Sequence, residues 1–182
     1  MQQKLIVLQM LKNKALYFFL IIAITLLTGI TQTSCSVYSF KDVSIPDTVK
    51  TVRVNFFENR APYVNPQLSP NLTESVKRKI QNQTRLSLTN SEEVHWEISG
   101  EIRDYAVTTS GISNKQEVTN RLTVSVHISI KKRGSETPDE FDISRGFEFS
   151  ARISQQAAET QLQAEIIRSL TDDIFNRLFS NW

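Results

Sequence analysis

The chain has 182 residues, a formal net charge of +2, 40% hydrophobic side chains and a single cysteine, Cys35. Its basicity belongs to the leader: residues 1–34 carry Lys4, Lys12 and Lys14 and no acid, so without them the 21 basic and 19 acidic side chains of the whole reduce to a near-neutral remainder. Such a remainder has no overall field for holding nucleic acid, and its length suits one hydrophobic core and therefore one domain.

The leader comes first in chain order. Its apolar run, Ala15 to Ile30, is shorter than the roughly 20 residues of a spanning helix. Following basic residues, it reads as the h-region of a secretory signal, with Met10 as good a start as Met1. Cys35 stands soon after this run. Exported domains pair their cysteines or avoid them, whereas a thioether to diacylglycerol removes a lone thiol from redox chemistry. Thr33 and Ser34 suit the small residues expected before a lipidated cysteine, while Gln32 stands where an aliphatic residue is usual. The expectation is a lipoprotein signal peptide over 1–34, lipidation of Cys35, a short tether to residue 48, and one domain over 49–182. Ser36-Val37-Tyr38 places no acid directly after the cysteine, which points to the outer membrane, facing the periplasm.

Val52, Val54 and Phe56 alternate with polar residues, predicting a half-buried strand over 51–57. Prolines 62, 66 and 70 interrupt regular structure, and Ser69-Pro70 predicts a helix start with a capping hydroxyl. Leu68, Leu72, Val76 and Ile80 recur every four residues, giving an amphipathic helix to about Gln83. Val94, Trp96, Ile98 and Ile102 then return to a period of two, with Gly100 marking a bulge or a close approach. Leu122, Val124, Val126, Ile128 and Ile130 form the cleanest strand and are expected at the centre. Residues 131–140 read as a turn, before Phe147, Phe149, Ala151 and Ile153 alternate again. A long helix over about 155–181 carries the stripe Leu162, Ile166, Leu170, Ile174 and Leu178, widened by Ile167 and Phe175. This order, β-α-β-β-β-α, predicts an α+β fold: a four-stranded mixed sheet with both helices on one face, its last three strands an antiparallel meander. The other face, built from Thr, Ser, His, Glu and Arg, is suited to water or to a polar protein wall.

Little in the chain points to catalysis. His95 and His127 both fall on the polar sheet face, where an exposed histidine is the simple reading and a general base the sharper one. Asp172 and Asp173 diverge by about 100° on a helix, so they suit surface or intrahelical pairing better than a shared substrate. No short ligand spacing indicates a metal, no glycine-rich loop indicates a nucleotide, and no cofactor is expected. Lys131, Lys132 and Arg133 form one basic cluster at a predicted turn. Solvation of the turn is one role; contact with an anionic phosphorylated lipid through charge-assisted hydrogen bonds is the other.

Segments 35–40, the first strand with 57–59, 68–74, 100–105, 120–124, 172–176 and 181–182 together resemble the lipopolysaccharide-assembly lipoprotein family, LptE, and in particular its non-proteobacterial branch. They span essentially the whole chain after the leader. The resemblance implies two helices against a four-stranded sheet, no enzymatic activity, and a place inside the lumen of an LptD-type outer-membrane β-barrel. There it implies a plug and assembly aid in delivering lipopolysaccharide to the outer leaflet, with lipopolysaccharide itself a further partner. Only Cys35 carries over from the family as a functional residue. The alternative is an outer-membrane lipoprotein regulating a peptidoglycan synthase, which needs a longer tether to reach inward than the residues between Cys35 and the first strand supply.

Overall fold

The computed structural model describes residues 45–110 and 119–179. The predicted signal peptide, Cys35, most of the tether and the terminal Asn181-Trp182 lie outside the described residues. Six strands and two helices follow in order: β1 (Thr51–Val54), β2 (Glu58–Asn59), α1 (Leu68–Gln83), β3 (Ser87–Leu88), β4 (Trp96–Ser110), β5 (Thr119–Lys132), β6 (Asp139–Ser150) and α2 (Gln155–Phe179). The sheet order is β3-β1-β4-β5-β6, with β2 also laid along β4. β1 runs parallel to both β3 and β4, whereas β4, β5 and β6 form the antiparallel meander. The α+β class, the mixed sheet and the meander are as expected. The strand count is not four but six, because β2 and β3 are two residues each and too short to show a period.

Alternation along the strands divides the sheet into a buried and an outer face. Ile98, Ile102, Leu122, Val124, Val126 and Ile128 are buried, with the α1 stripe Leu68, Leu72, Val76 and Ile80 and the α2 stripe Leu162 to Leu178 packed over them. The helices run side by side in the same direction, since Gln163 Nε2 donates to Gln67 Oε1 at 2.9 Å near their starts and Lys79 pairs with Asp172 towards their ends. α2 begins as predicted, with the Ala157 N–H donating to Ser154 Oγ at 3.2 Å. α1 does not. It starts at Leu68 behind Gln67, whose side chain makes no capping bond, and Ser69 lies buried inside the first turn. The Asn65 side chain, accepting from the Gln67 N–H at 3.0 Å, shapes that approach.

The first strand departs from its predicted alternation. β1 ends at Val54, and it is Phe57 rather than Phe56 that enters the core, leaving Phe56 59% exposed. Two contacts fix the shift. The Phe57 N–H donates to Thr73 Oγ1 at 3.0 Å, and that buried hydroxyl donates to the Ser69 carbonyl at 2.7 Å. The Phe57 ring lies against Gly100, where a Cβ atom would meet it at 2.5 Å. Gly100 therefore marks a close approach; the bulge falls just beyond, between Ile102 and Asp104. β6 also starts earlier than predicted, at Asp139, and ends before Ala151 and Ile153. Its acidic composition over 139–142 hides the inward Phe141 and Ile143.

Candidate functional site

The outer face of β4, β5 and β6 is polar and cross-linked from strand to strand. Arg53 meets Glu97 at 2.7 Å, Arg121 meets Glu148 at 3.1 Å, and Arg103 reaches both Glu101 at 3.2 Å and Asp142 at 3.5 Å. Asn55 Nδ2 donates to Glu97 at 2.8 Å and to Ser99 Oγ at 3.0 Å, and Ser125 Oγ donates to Ser144 Oγ at 2.9 Å. The Asn55 amide first, and Arg53 after it, hold the Glu97 carboxyl below the ordinary glutamate value. Exposed pairs of this kind contribute about 0–1 kcal/mol each, so the face is tied together without depending on any one bridge.

Into this face Phe56 projects. It lines an open groove of about 620 Å³ with Glu58, Arg60, Glu101, Arg103, His127 and Glu140 among its walls. Arg60, bonded to Glu58 at 2.8 Å, has its already high pKa raised further by that contact. An exposed aromatic ringed by guanidinium and carboxylate groups has the composition of a protein-binding anchor. A slip in strand alternation put it there, which pattern reading missed; two consecutive phenylalanines, Phe56-Phe57, were the available signal, since a strand sends neighbours to opposite faces.

His127 accepts this same environment. Its Nδ1 lies 2.9 Å from Asp142 and its Nε2 is turned to Glu140 at 3.8 Å. A histidine with a carboxylate partner is thus present, but it lies on an open sheet face with no hydroxyl hydrogen-bonded to it. His95 Nδ1 is 2.7 Å from Thr51 Oγ1 at the other end of β4. The two histidines are not brought together, and no group of three or more metal-ligating side chains occurs among the described residues. Asp172 and Asp173 diverge as predicted but pair between elements instead of within the helix: Asp172 with Lys79 of α1, Asp173 with Arg145 of β6.

The basic cluster is split by the end of β5. Lys132 covers the Trp96 ring, 5.6 Å from its centroid, and pairs with Asp139 at 2.5 Å. Arg133 Nε donates to the Val94 carbonyl at 3.3 Å. Lys131 is exposed, and its charge helps lower the Glu97 carboxyl. Together with Glu92, Glu93 and Glu97 the three line a groove of about 450 Å³. At the opposite pole Tyr63 stacks on Tyr105, ring centroids 5.7 Å apart, and Asn65 Nδ2 donates to the Tyr105 hydroxyl at 3.3 Å. Burial pushes the Tyr105 phenol up to about 12.

Fold and surface together define a small α+β module with a buried apolar layer and a polar, cross-linked outer face. The chain belongs to the LptE family, lipopolysaccharide-assembly, whose family model matches residues 49–178. At the family level it is a lipopolysaccharide-assembly lipoprotein, in a family of non-enzymatic lipoproteins. No curated protein matches it by sequence. Among solved structures it is similar to a neuraminyllactose-binding haemagglutinin homologue from Helicobacter pylori (10% identity, TM-score 0.53, covering 78% of this chain and 89% of that one). A protein from Xanthomonas campestris is also similar (10% identity, TM-score 0.51, 75% and 87% covered), as is a minor lipoprotein from Acinetobacter baumannii (15% identity, TM-score 0.48, 71% and 91% covered). At such identities the likeness speaks for the fold alone.

Proposed function

We propose that this lipoprotein, anchored to the outer membrane by acylation of Cys35, occupies the lumen of an LptD-type β-barrel. There it acts as plug and assembly aid while lipopolysaccharide passes to the outer leaflet. The family match across residues 49–178 carries the reading. The outer sheet face supports it physically: lumen walls of membrane barrels are polar, because their strands alternate lipid-facing and lumen-facing residues, and a polar face with one aromatic anchor is a fitting counter-surface. Depleting the protein should strip lipopolysaccharide from the cell surface and reduce the amount of correctly assembled barrel. Co-purification with a peptidoglycan synthase in place of a barrel would overturn the reading.

Anchoring follows from cysteine chemistry. Burying acyl chains contributes about 0.8 kcal/mol per methylene, and two or more chains hold stably. Mass spectrometry of the mature N-terminus should find diacylglycerol on Cys35 and no residue before it; an unmodified Cys35 removes the anchor. The basic turn at Lys131, Lys132 and Arg133 is proposed to touch anionic phosphorylated lipid. Its carboxylate neighbours make that contact a weak one. Replacing all three by Gln should lower binding to vesicles carrying phosphorylated headgroups without altering thermal unfolding, and unchanged binding defeats this role.

A further inference from the structure

The two edges of the sheet are built differently. At one edge stands β3, two residues long. At the other stands β6, twelve residues in unbroken register against β5. Apart from its ladder to β5, β6 makes one backbone hydrogen bond among the described residues, from the Ile153 N–H to the Ser150 carbonyl at 3.2 Å. Among the described residues its outward-pointing N–H and C=O groups therefore form a long unpaired template. Proteins usually blunt such an edge by shortening it, kinking it with a bulge or placing proline in it. β6 has no proline and no bulge.

What β6 carries is charge sorted by face. On the outer face stand Glu140, Asp142 and Glu148, with no base among them. They are bridged to Arg103, Arg121 and His127 on the neighbouring strands through exposed contacts, which leave them open to further cations. On the core face Phe141 and Ile143 are only partly buried. The two charges on that face are satisfied, Arg145 by Asp173 of α2 and Asp139 by Lys132 of β5.

We propose that the free edge of β6 is a strand-addition site for an extended segment of a partner protein in which basic and apolar side chains alternate. The main chain of that segment would complete the ladder. Its basic side chains would stand beside Glu140, Asp142 and Glu148, and its apolar ones would cover Phe141 and Ile143. A second copy of this chain is the wrong occupant, because pairing β6 with β6 gathers both sets of acids on one face, and like charges across strands destabilise. The proposal is independent of whether the partner is a barrel.

Amide hydrogen exchange on the full chain in detergent tests it with two synthetic twelve-residue peptides, one alternating Lys and Val, the other alternating Glu and Val. The basic peptide should slow every second amide of β6, those pointing away from β5, by at least about tenfold, and the acidic peptide should leave them unchanged. Reversing the three acids to Lys should exchange the preference, although the peptide pair on the unaltered chain decides the matter alone. Equal protection by both peptides, no protection of β6 by either, or protection that grows with protein concentration in their absence would overturn the proposal.

Discussion

The two faces of this one sheet are held by different physics. On the inner face Phe57, Ile98, Ile102, Leu122 and Ile128 are all but completely buried, and each side chain of that size contributes about 1.5–3 kcal/mol by leaving water. On the outer face the same strands present bridges that solvent screens. Stability thus resides on the inner side, and the binding proposed for the outer side does not draw on it, so the two should respond separately to mutation.

The largest expected effect breaks the inner face. Gly100→Val places side-chain atoms where the Phe57 ring already lies, and either the ring or the strand must move. Overpacking of this kind costs about 1–3 kcal/mol or more, read as a lowered urea midpoint with an unchanged slope. Phe57→Ala removes the same contact from the other partner at a cost of about 3–5 kcal/mol, and the pair should be strongly non-additive in a double-mutant cycle.

Phe56→Ala sharpens the contrast. It should leave thermal unfolding within about 0.5 kcal/mol while weakening association with the proposed barrel partner by about tenfold or more. Equal losses of stability and binding would remove the division between the faces. Next comes a pH effect. The Tyr105 phenol is raised to about 12, so its contribution is complete below the unfolded value near 10 and is lost as pH rises from there through about 12. Tyr105→Phe should flatten that alkaline loss, followed by tyrosinate absorbance and unfolding midpoint together. The smallest effect belongs to Glu97, whose depressed carboxyl contributes above the unfolded glutamate value and loses that contribution as pH falls through the folded one. Asn55→Ala should therefore destabilise slightly at neutral pH, by under about 1 kcal/mol, and the difference should vanish in acid.

Most of the fold was legible because long, regularly alternating segments announce their buried side. Leu122 to Ile130, the two helical stripes and the Val94–Ile102 segment all occupy the positions their periods implied. What escaped was short or masked by charge. β2 and β3 hold two residues each, and Phe141 and Ile143 stand between acids. Ser69-Pro70 has the chemistry of a cap, yet the helix starts two residues earlier, at Leu68, which is buried in the core. The surface was less legible than the interior. Pattern reading marked the outer face as polar, but Phe56 reached it only through the slip after Val54, which depends on the Thr73 hydroxyl sixteen residues away.

The placement of chain ends along the strands orients the whole module. β1 starts beside Trp96 and Lys132, so the polypeptide arrives at the pole that bears Lys131 to Arg133. Nine residues lie between Cys35 and Ile45, a reach of at most about 35 Å. If Cys35 is acylated as proposed, the tether keeps this pole within that reach of the bilayer, and the stretch of β4 from Trp96 to Tyr105 sets the Tyr63–Tyr105 pair roughly 30 Å further along the strand axis. In the proposed barrel a domain so held would enter in one direction only, with the far end of β4 leading.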